Sequence, residues 1–163
     1  MSSPPPKSHL DLRSFNAGLA WSEQLRYVAW GVVQAILFQP VLTPRRLRPW
    51  LLRGFGAKVG RRCVIRDHVT IHAPWNLELG DDVWIGRGVD FINHAPIRVG
   101  HDVCISQNVM LCSSGHDFTR SDFRYRHAAI EVGACSWLTV RATILPGAKL
   151  PDGSLVRPGS VVR

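Results

Sequence analysis

Aliphatic residues return at every sixth position along most of the chain after residue 58. They form four series of this spacing, which begin at Val59, Leu79, Val99 and Val132. A small or β-branched residue often follows four positions later, as Cys63 follows Val59. The period is typical of a parallel β-helix, in which each hexapeptide forms a short strand and a corner, and three hexapeptides close a coil of about eighteen residues. An antiparallel β protein would alternate without this fixed phase.

A two-residue step marks the start of several coils. It occurs as Leu77-Glu78 before Leu79, as Ile97-Arg98 before Val99 and as Ile130-Glu131 before Val132. Glycine follows the first aliphatic residue of these coils, as at Gly80 and Gly100, and suits the backbone dihedrals that a corner can require. The sequence therefore predicts an all-β domain, a parallel β-helix over residues 59–163, with an excursion loop at about 112–131 where the period stops.

The residues before the β-helix divide into two parts. Residues 1–20 begin with a serine- and proline-rich stretch and are expected to be a disordered arm or to drape over a neighbour. Residues 21–58 are an apolar helix, ended by Pro40 and Pro44, and a basic connector. The helix is expected to pack on the β-helix or on a sister subunit; a helix on the membrane surface and a true span are the alternatives. The start of the chain lacks the basic region and cleavage site of a signal peptide.

Positive charge is concentrated in residues 45–66, a basic block that begins in the connector and extends into the first coil; the name basic connector is kept for the whole block. The block supplies much of the net charge of +8 and contains no acidic residue before Asp67. Such a segment suits anionic lipid headgroups or a substrate that carries phosphate, and a solvated basic face is the alternative. No nucleic-acid-binding module is visible, so no nucleic acid is expected as a partner. The basic residues are Arg45, Arg46, Arg48, Arg53, Lys58, Arg61, Arg62 and Arg66.

The four cysteines bear on the cellular location. They form neither a CxxC pair nor the regular spacing of a disulfide framework. This favours a reducing compartment. The expected location is the cytoplasm, with peripheral contact at the inner face of the membrane if the basic connector binds lipid.

The excursion loop carries the clearest candidate for catalysis. Long loops on a rigid scaffold often carry function. His116, at the root of this loop, can accept a proton at one ring nitrogen while a carbonyl or carboxylate orients the other. His94 is the main alternative among the remaining histidines. No histidine pair has metal-ligand spacing backed by a carboxylate cluster, so no metal is predicted.

Together with the period, three short segments resemble the hexapeptide-repeat acyltransferases. The segments are Ala-Pro-Trp-Asn-Leu-Glu-Leu-Gly at 73–80, Ile-Ser-Gln at 105–107 and Gly-His-Asp at 115–117. Within that family the sequence is most similar to the sugar O-acetyltransferases of exopolysaccharide synthesis, of the colanic-acid type. The likeness covers roughly residues 21–162.

This resemblance implies a fold, an assembly and a reaction. Members of the family form left-handed β-helices, an exception to the usual right-handed crossover, and assemble as homotrimers with active sites in the clefts between neighbouring chains. Acetyl-CoA lies along the cleft as the co-substrate. A histidine at the loop root deprotonates a hydroxyl of the sugar or glycan acceptor, which attacks the thioester directly, without a covalent acyl-enzyme.

The resemblance also assigns roles to residues on the acceptor side. His116 matches the catalytic base of the family. Asn93 aligns with a polar position that holds a sugar hydroxyl. Asp90 and Trp75 are expected on the same surface, because aromatic faces pack well against sugar rings. Asp117 either orients the imidazole or contacts the acceptor, or it caps the loop through its own backbone.

On the cofactor side the sequence departs from the family pattern. Val140, Thr139 and Pro158 occupy the cofactor-binding positions, where the family uses mainly backbone contacts. Thr139 replaces a glycine, and Pro158 has no N–H to donate. The family continues past the segment that ends at Val162 with a closing element, whereas this sequence ends at Arg163. The expectation is therefore weak cofactor affinity, a partner that covers the last coil, or a sequence that was cut at an artificial boundary.

Two other functions compete with acetyl transfer. A catalytically weak or inactive β-helix that serves as a structural subunit is the main alternative, favoured by Thr139, by Pro158 and by the missing closing element. A metal-dependent β-helix enzyme of the carbonic-anhydrase kind is disfavoured, because the histidine trio at regular coil spacing is absent from the sequence. The acceptor sugar, its hydroxyl position and a longer acyl group stay open.

Overall fold

Three parallel walls form the body of the protein. The computed structural model describes residues 18, 20–117 and 119–163, so nearly all of the arm at 1–20 lies outside the described residues. Each wall is a sheet of five parallel strands. The strands are β1 Lys58–Val59, β2 Val64–Ile65, β3 Thr70–Ile71, β4 Leu77–Leu79, β5 Trp84–Ile85, β6 Asp90–Ile92, β7 Ile97–Val99, β8 Cys104–Ile105, β9 Met110–Cys112, β10 Ser114–His116, β11 Tyr125–His127, β12 Ile130–Val132, β13 Trp137–Leu138, β14 Thr143–Ile144, β15 Lys149–Leu150, β16 Leu155–Val156 and β17 Val161–Val162.

Successive strands turn onto successive walls. Wall 1 has the order β1-β4-β7-β12-β15, wall 2 the order β2-β5-β8-β13-β16, and wall 3 the order β3-β6-β9-β14-β17. The chain thus winds as a parallel β-helix of about five turns. This confirms the predicted all-β class with an N-terminal helical segment.

The aliphatic period forms the interior of the β-helix. Ile65 pairs with Ile85, Ile85 with Ile105 and Ile105 with Leu138, and all four are fully buried. The first coils place stacked residues twenty positions apart, as at 65 and 85, because each contains the two-residue step. The last coil, from Leu138 to Val156, lacks the step and repeats after eighteen positions.

The corner glycines serve close packing instead of a special dihedral. Positive φ occurs two residues after these glycines, at Asp82 and Asp102 (58° and 55°). A Cβ added to Gly80 would lie 2.7 Å from the carbonyl carbon of Gly100 in the next coil. The dihedral reason given for these glycines was therefore wrong. Glycine is required here because the backbones of stacked corners nearly touch and leave no room for a Cβ.

Two helices cover the first coil. α1 is Trp21–Val33, which continues as a π-helical turn Gln34–Phe38, and α2 is Leu47–Gly54. Trp30 is buried and donates its indole N–H to the carbonyl of Ile71 at 2.5 Å. Phe38 and Leu52 are fully buried in the same core. In the described part of the chain, every helix is too short or too polar to cross a membrane.

The basic connector does not form one solvated patch. Arg48 is buried and donates to the carbonyls of Phe38, Ile65 and Pro40. Arg53 donates to two further carbonyls, and Lys58, Arg61 and Arg62 pair with carboxylates of the next coil. Arg66 lies 3.7 Å from Asp67. Most of the predicted block is therefore bonded within the chain, and Arg45 and Arg46 are its exposed remainder.

Candidate active site

The excursion forms an antiparallel hairpin that presents four polar side chains on one face. In β10 and β11, His116 lies opposite Tyr125 and Ser114 lies opposite His127. Because side chains alternate along a strand, residues 114 and 116 share a face with residues 125 and 127. The chain leaves the coils after Leu111 and rejoins them at Ile130. The hairpin thus holds His116 beside wall 3.

His116 is oriented by the loop that follows it. Its Nδ1 lies 2.7 Å from the carbonyl oxygen of Phe123. Because a carbonyl oxygen only accepts, Nδ1–H is the donor, and the lone pair of the neutral ring is at Nε2. The ring stacks on Phe123 with centroids 4.0 Å apart and contacts the ring of Tyr125 at 4.6 Å. The geometry fixes the tautomer that a general base requires.

Asp117 is bonded within its own loop. Its Oδ1 accepts from the backbone N–H of Thr119 at 3.0 Å and from the hydroxyl of the same residue at 2.5 Å. These hydrogen bonds lower the pKa of Asp117. Of the two roles expected for Asp117, the contacts support the loop cap, because the carbonyl of Phe123 orients the imidazole of His116.

A pocket of about 260 Å³ lies between α1 and the hairpin. Tyr125 lines it and also contacts the ring of His116, so the pocket borders the candidate base. Three aromatic side chains and several hydrogen-bonding groups face the space, a composition that suits a polar ring. The lining residues are Glu23, Arg26, Tyr27, Trp75, Asn76, His94, Tyr125 and His127.

Two histidines of the pocket are biased towards the neutral state. Burial lowers the pKa of His94, and the neighbouring His72 and His127 lower it further. Burial and His116 lower the pKa of His127 in the same way. Nδ1 of His94 lies 3.3 Å from the hydroxyl of Tyr27. Neutral imidazoles can both donate and accept, which suits hydroxyl ligands.

Trp75 lies in the pocket as part of an aromatic cluster. Its ring meets that of Tyr27 edge to face at 4.8 Å. The guanidinium of Arg26 lies over it at 4.2 Å. Trp75 can therefore present ring surface to the pocket, while Arg26 covers part of it.

Asn93, which was expected on the acceptor side, is bonded inside the wall. Its side chain is fully buried, its Oδ1 accepts from the N–H of Ala73 at 2.9 Å, and its Nδ2 donates to the carbonyl of the same residue at 2.6 Å. Both ends of the amide are thus used to join two coils. In this structure Asn93 stabilises the wall and does not present its side chain to a ligand.

Asp90 lies on wall 3 just beyond the pocket. Its Oδ1 is buried and has no hydrogen-bond partner among the described residues, and it lies 4.0 Å from Nε2 of His72. Burial raises the pKa of Asp90, an effect that His72 partly offsets. The ring of His72 packs edge to face on that of His94. Asp90 and Trp75 are thus separated by two histidines.

The three cofactor-side residues lie together at one corner. Thr139 is buried and donates its hydroxyl to the carbonyl of Val156 at 2.6 Å. The N–H of Gly159, next to the exposed Pro158, donates to the carbonyl of Val140. Thr139 therefore has a structural contact that explains its presence. Val140 and Pro158 are exposed side by side on stacked coils.

One cluster in the described residues has the spacing of metal ligands. Single ligand atoms of His101, Asp102 and Cys135 lie within 4.8 Å of one another. All three residues are exposed at a coil corner, and Asp102 lies 2.7 Å from Nδ1 of His101. This surface cluster is not part of the hairpin or the pocket.

Sequence reasoning missed the partners of His116 across the hairpin. Tyr125 and His127 lie in the alternating segment 124–127, which the sequence could have paired with residues 114–116. That alternation was the available signal. Tyr27 had no such signal, because its contact with His94 depends on how α1 packs on the β-helix.

Comparisons with known proteins agree with this architecture. No family model matches the sequence. The chain is 35% identical over 157 residues to the colanic acid biosynthesis acetyltransferase WcaF of Escherichia coli (strain K12), which covers 93% of this chain and 85% of the relative. A hexapeptide-repeat acetyltransferase of Vibrio cholerae, complexed with acetyl coenzyme A, superposes with a TM-score of 0.81 at 19% identity over 90% of this chain and 80% of that one.

A second solved structure has the same fold. A galactoside acetyltransferase in complex with coenzyme A gives a TM-score of 0.78 at 17% identity, over 91% of this chain and 76% of that one. The predicted resemblance and the left-handed hand of the β-helix are confirmed. On the identity and coverage of the colanic acid relative, the chain belongs to the hexapeptide-repeat acetyltransferase family, whose co-substrate is acetyl-CoA.

Proposed function

We propose that this chain transfers an acetyl group from acetyl-CoA to a hydroxyl of a sugar or glycan precursor in polysaccharide biosynthesis, with His116 as general base. The observation that carries the proposal is the bond from Nδ1–H of His116 to the carbonyl of Phe123, on a hairpin face that borders the pocket. The name of the colanic acid relative supports the substrate class.

The mechanism follows from the orientation of His116. Acetyl-CoA supplies the acetyl group as a thioester. Nε2 of His116 takes the proton of the acceptor hydroxyl as the oxygen bonds to the carbonyl carbon, and the imidazolium returns that proton to the departing sulfur as the C–S bond breaks. The carbonyl of Phe123 stabilises the charge on the ring, because it accepts the Nδ1–H bond throughout.

The pocket beside the hairpin is the proposed acceptor site. At about 260 Å³ it is below the range of drug-sized ligand pockets, roughly 300–1,000 Å³, and suits a single sugar ring. The rings of Trp75 and Tyr125 provide faces for the apolar side of a sugar. Asn76, His94 and His127 provide groups for its hydroxyls. Asp90 and Asp117 do not line this pocket; Asp90 lies on wall 3 and Asp117 in the loop.

Acetyl-CoA is proposed to run along the corner that contains Val140 and Pro158. These side chains are exposed on adjacent coils and present an apolar edge. Thr139 does not weaken this proposal, because its hydroxyl is satisfied inside the coil by Val156. The argument from Thr139 for an inactive structural subunit is therefore weaker.

A homotrimer and a cytoplasmic location belong to the same proposal. The outward positions of wall 2 form an apolar ladder that pairs in register from coil to coil. Trp84 and Trp137 are 41% and 51% exposed in the single chain, as expected of a surface that another copy covers. The ladder consists of Val64, Trp84, Cys104, Trp137 and Leu155.

The proposal is tested by replacing His116. In His116→Ala, the rate of thiol release from acetyl-CoA with a panel of sugar acceptors should fall by about 10² to 10⁴. Calorimetric titration should show acetyl-CoA binding within about threefold of the wild type. His101→Ala, an exposed histidine at a corner, is the matched control and should keep full activity.

Two results would contradict the proposal. Activity of His116→Ala within threefold of the wild type would exclude His116 as the base. A folded, trimeric wild type that binds no acetyl-CoA would favour the structural subunit instead.

A further inference from the structure

The outward face of α1 is an apolar stripe. Trp21, Leu25, Val28, Val32 and Ile36 are 82%, 67%, 64%, 54% and 65% exposed. Their spacing of three and four residues places them on one side of the helix. We call these five residues the α1 stripe. Leu37, Val41 and Leu42, also exposed, extend the apolar surface past the end of the π-helical turn.

α1 is apolar on two sides, unlike an ordinary surface helix: Trp30 packs in the core, and the α1 stripe is exposed. A surface helix buries its apolar face and exposes its charged one. Here the charged residues Glu23 and Arg26 border the pocket on the side of the β-helix, and the guanidinium of Arg26 covers Trp75. Trp30 anchors that side of the helix. The α1 stripe thus faces away from the protein and needs a partner.

The charge beside the stripe identifies the kind of partner. Arg45 and Arg46 follow the apolar surface directly and are exposed. Among the described residues they have no hydrogen bond or ion pair of the side chain, unlike the other six basic residues of the connector, which are bonded internally. Two such cations beside an apolar stripe match the phosphates and acyl chains of anionic lipid.

We propose that the α1 stripe lies in the interface of an anionic membrane, with Arg45 and Arg46 on lipid phosphates. The helical segment from Trp21 to Phe38 is about 27 Å long and would lie in the plane of the membrane. The stripe offers no hydrogen-bonding group apart from the indole of Trp21, so it lacks the hydrogen bonds that are usual between protein partners. This surface is separate from the acetyl-transfer site, and its test does not depend on activity.

The test is co-sedimentation of the full chain with vesicles. The vesicles contain phosphatidylcholine alone, or two parts phosphatidylcholine to one part phosphatidylglycerol. Val28→Glu/Val32→Glu should lower the partition coefficient by at least about a hundredfold on both, because charge replaces buried aliphatic groups. Arg45→Gln/Arg46→Gln should lose about fivefold for each arginine on the anionic vesicles alone.

Arg157→Gln/Arg163→Gln is the control for net charge. It changes the charge by the same amount at exposed positions far from α1, and its partition should stay within twofold of the wild type. Because all six positions are at the surface, each variant is expected to fold, and circular dichroism checks this.

Four outcomes would overturn the proposal. The first is a wild type that does not bind anionic vesicles. The second is a Val28→Glu/Val32→Glu variant that binds them as well as the wild type. A loss of oligomer mass in that variant, with vesicle binding intact, would assign the stripe to a second copy. Binding only after removal of residues 2–17 would make that segment the occupant.

Discussion

Walls 1 and 2 share a backbone and an interior but have opposite outward faces. On wall 1 the outward ladder is charged in alternation, Lys58, Glu78, Arg98, Glu131 and Lys149. Consecutive members lie 3.1 to 3.9 Å apart as ion pairs. On wall 2 the corresponding positions are Val64, Trp84, Cys104, Trp137 and Leu155. The inward residues specify the β-helix, whereas the outward residues specify what each wall meets.

From this difference we expect wall 1 to face water and wall 2 to face a protein surface. Charged ladders of alternating sign are stable in water and resist burial, because each ion would lose its hydration. Two partly exposed tryptophans in a ladder are costly in water and typical of interface centres. The comparison therefore supports the proposed contact of wall 2 with another copy more directly than the sequence period does, because the period is the same on both walls.

Placing negative charge on wall 2 removes the difference between the two walls and is expected to have the largest effect. Trp84→Glu/Trp137→Glu should dissociate the proposed trimer to a chain of 18.2 kDa, measured by light scattering, because two carboxylates would be buried without partners. Acetyl transfer should be lost with it if the active site lies between chains. The matched control on wall 1, Lys58→Glu/Lys149→Glu, should keep the trimer mass. An unchanged mass in the tryptophan variant would place the interface elsewhere.

Asp67 is a buried charge, in contrast to the exposed charges of wall 1, and its carboxylate contributes to stability in a way that depends on pH. Burial alone would raise its pKa, but hydrogen bonds from His68, its own backbone and Arg87 outweigh burial and lower the pKa to about 2. Since the folded pKa lies below the unfolded value of 3.8, the stabilisation is present above pH 4 and is lost as pH falls towards 2.

Asp67→Asn should therefore destabilise the protein in a pH-dependent way. We expect a loss of about 1–2 kcal/mol in the free energy of unfolding at pH 7, measured by urea denaturation, and a loss near zero at pH 2. Asp152→Asn, at an exposed corner, serves as the control. A loss that is equal at both pH values would mean that packing, and not charge, explains the effect.

The sequence could predict the interior but only part of the surface. Ile65, Ile85 and Ile105 were predictable because one period places them all inward. Arg48 was predicted as part of a basic surface, yet it is buried on three carbonyls, because its partners come from segments that only the folded chain brings together.

The site was predictable to the same extent. His116 was singled out by its place at the loop root. The twenty-residue repeat stacks Ala73 on Asn93, but it does not show that the amide of Asn93 bonds to the backbone of Ala73. An amide that aligns with a ligand-binding position can thus serve the wall instead. The three-dimensional stacking of coils, and not the residue type, decides between the two roles.

Removing charge from wall 1 is the mildest test of the contrast. Glu78→Gln/Glu131→Gln deletes all four ion pairs of the ladder. The side chains of Glu78 and Glu131 are 38% and 48% exposed. Exposed pairs contribute about 0–1 kcal/mol, so the loss in the free energy of unfolding should stay below about 1 kcal/mol and shrink further in high salt. The trimer mass should not change. A larger loss that persists in salt would show that wall 1 is covered by a partner, and the assignment of water to this face would be wrong.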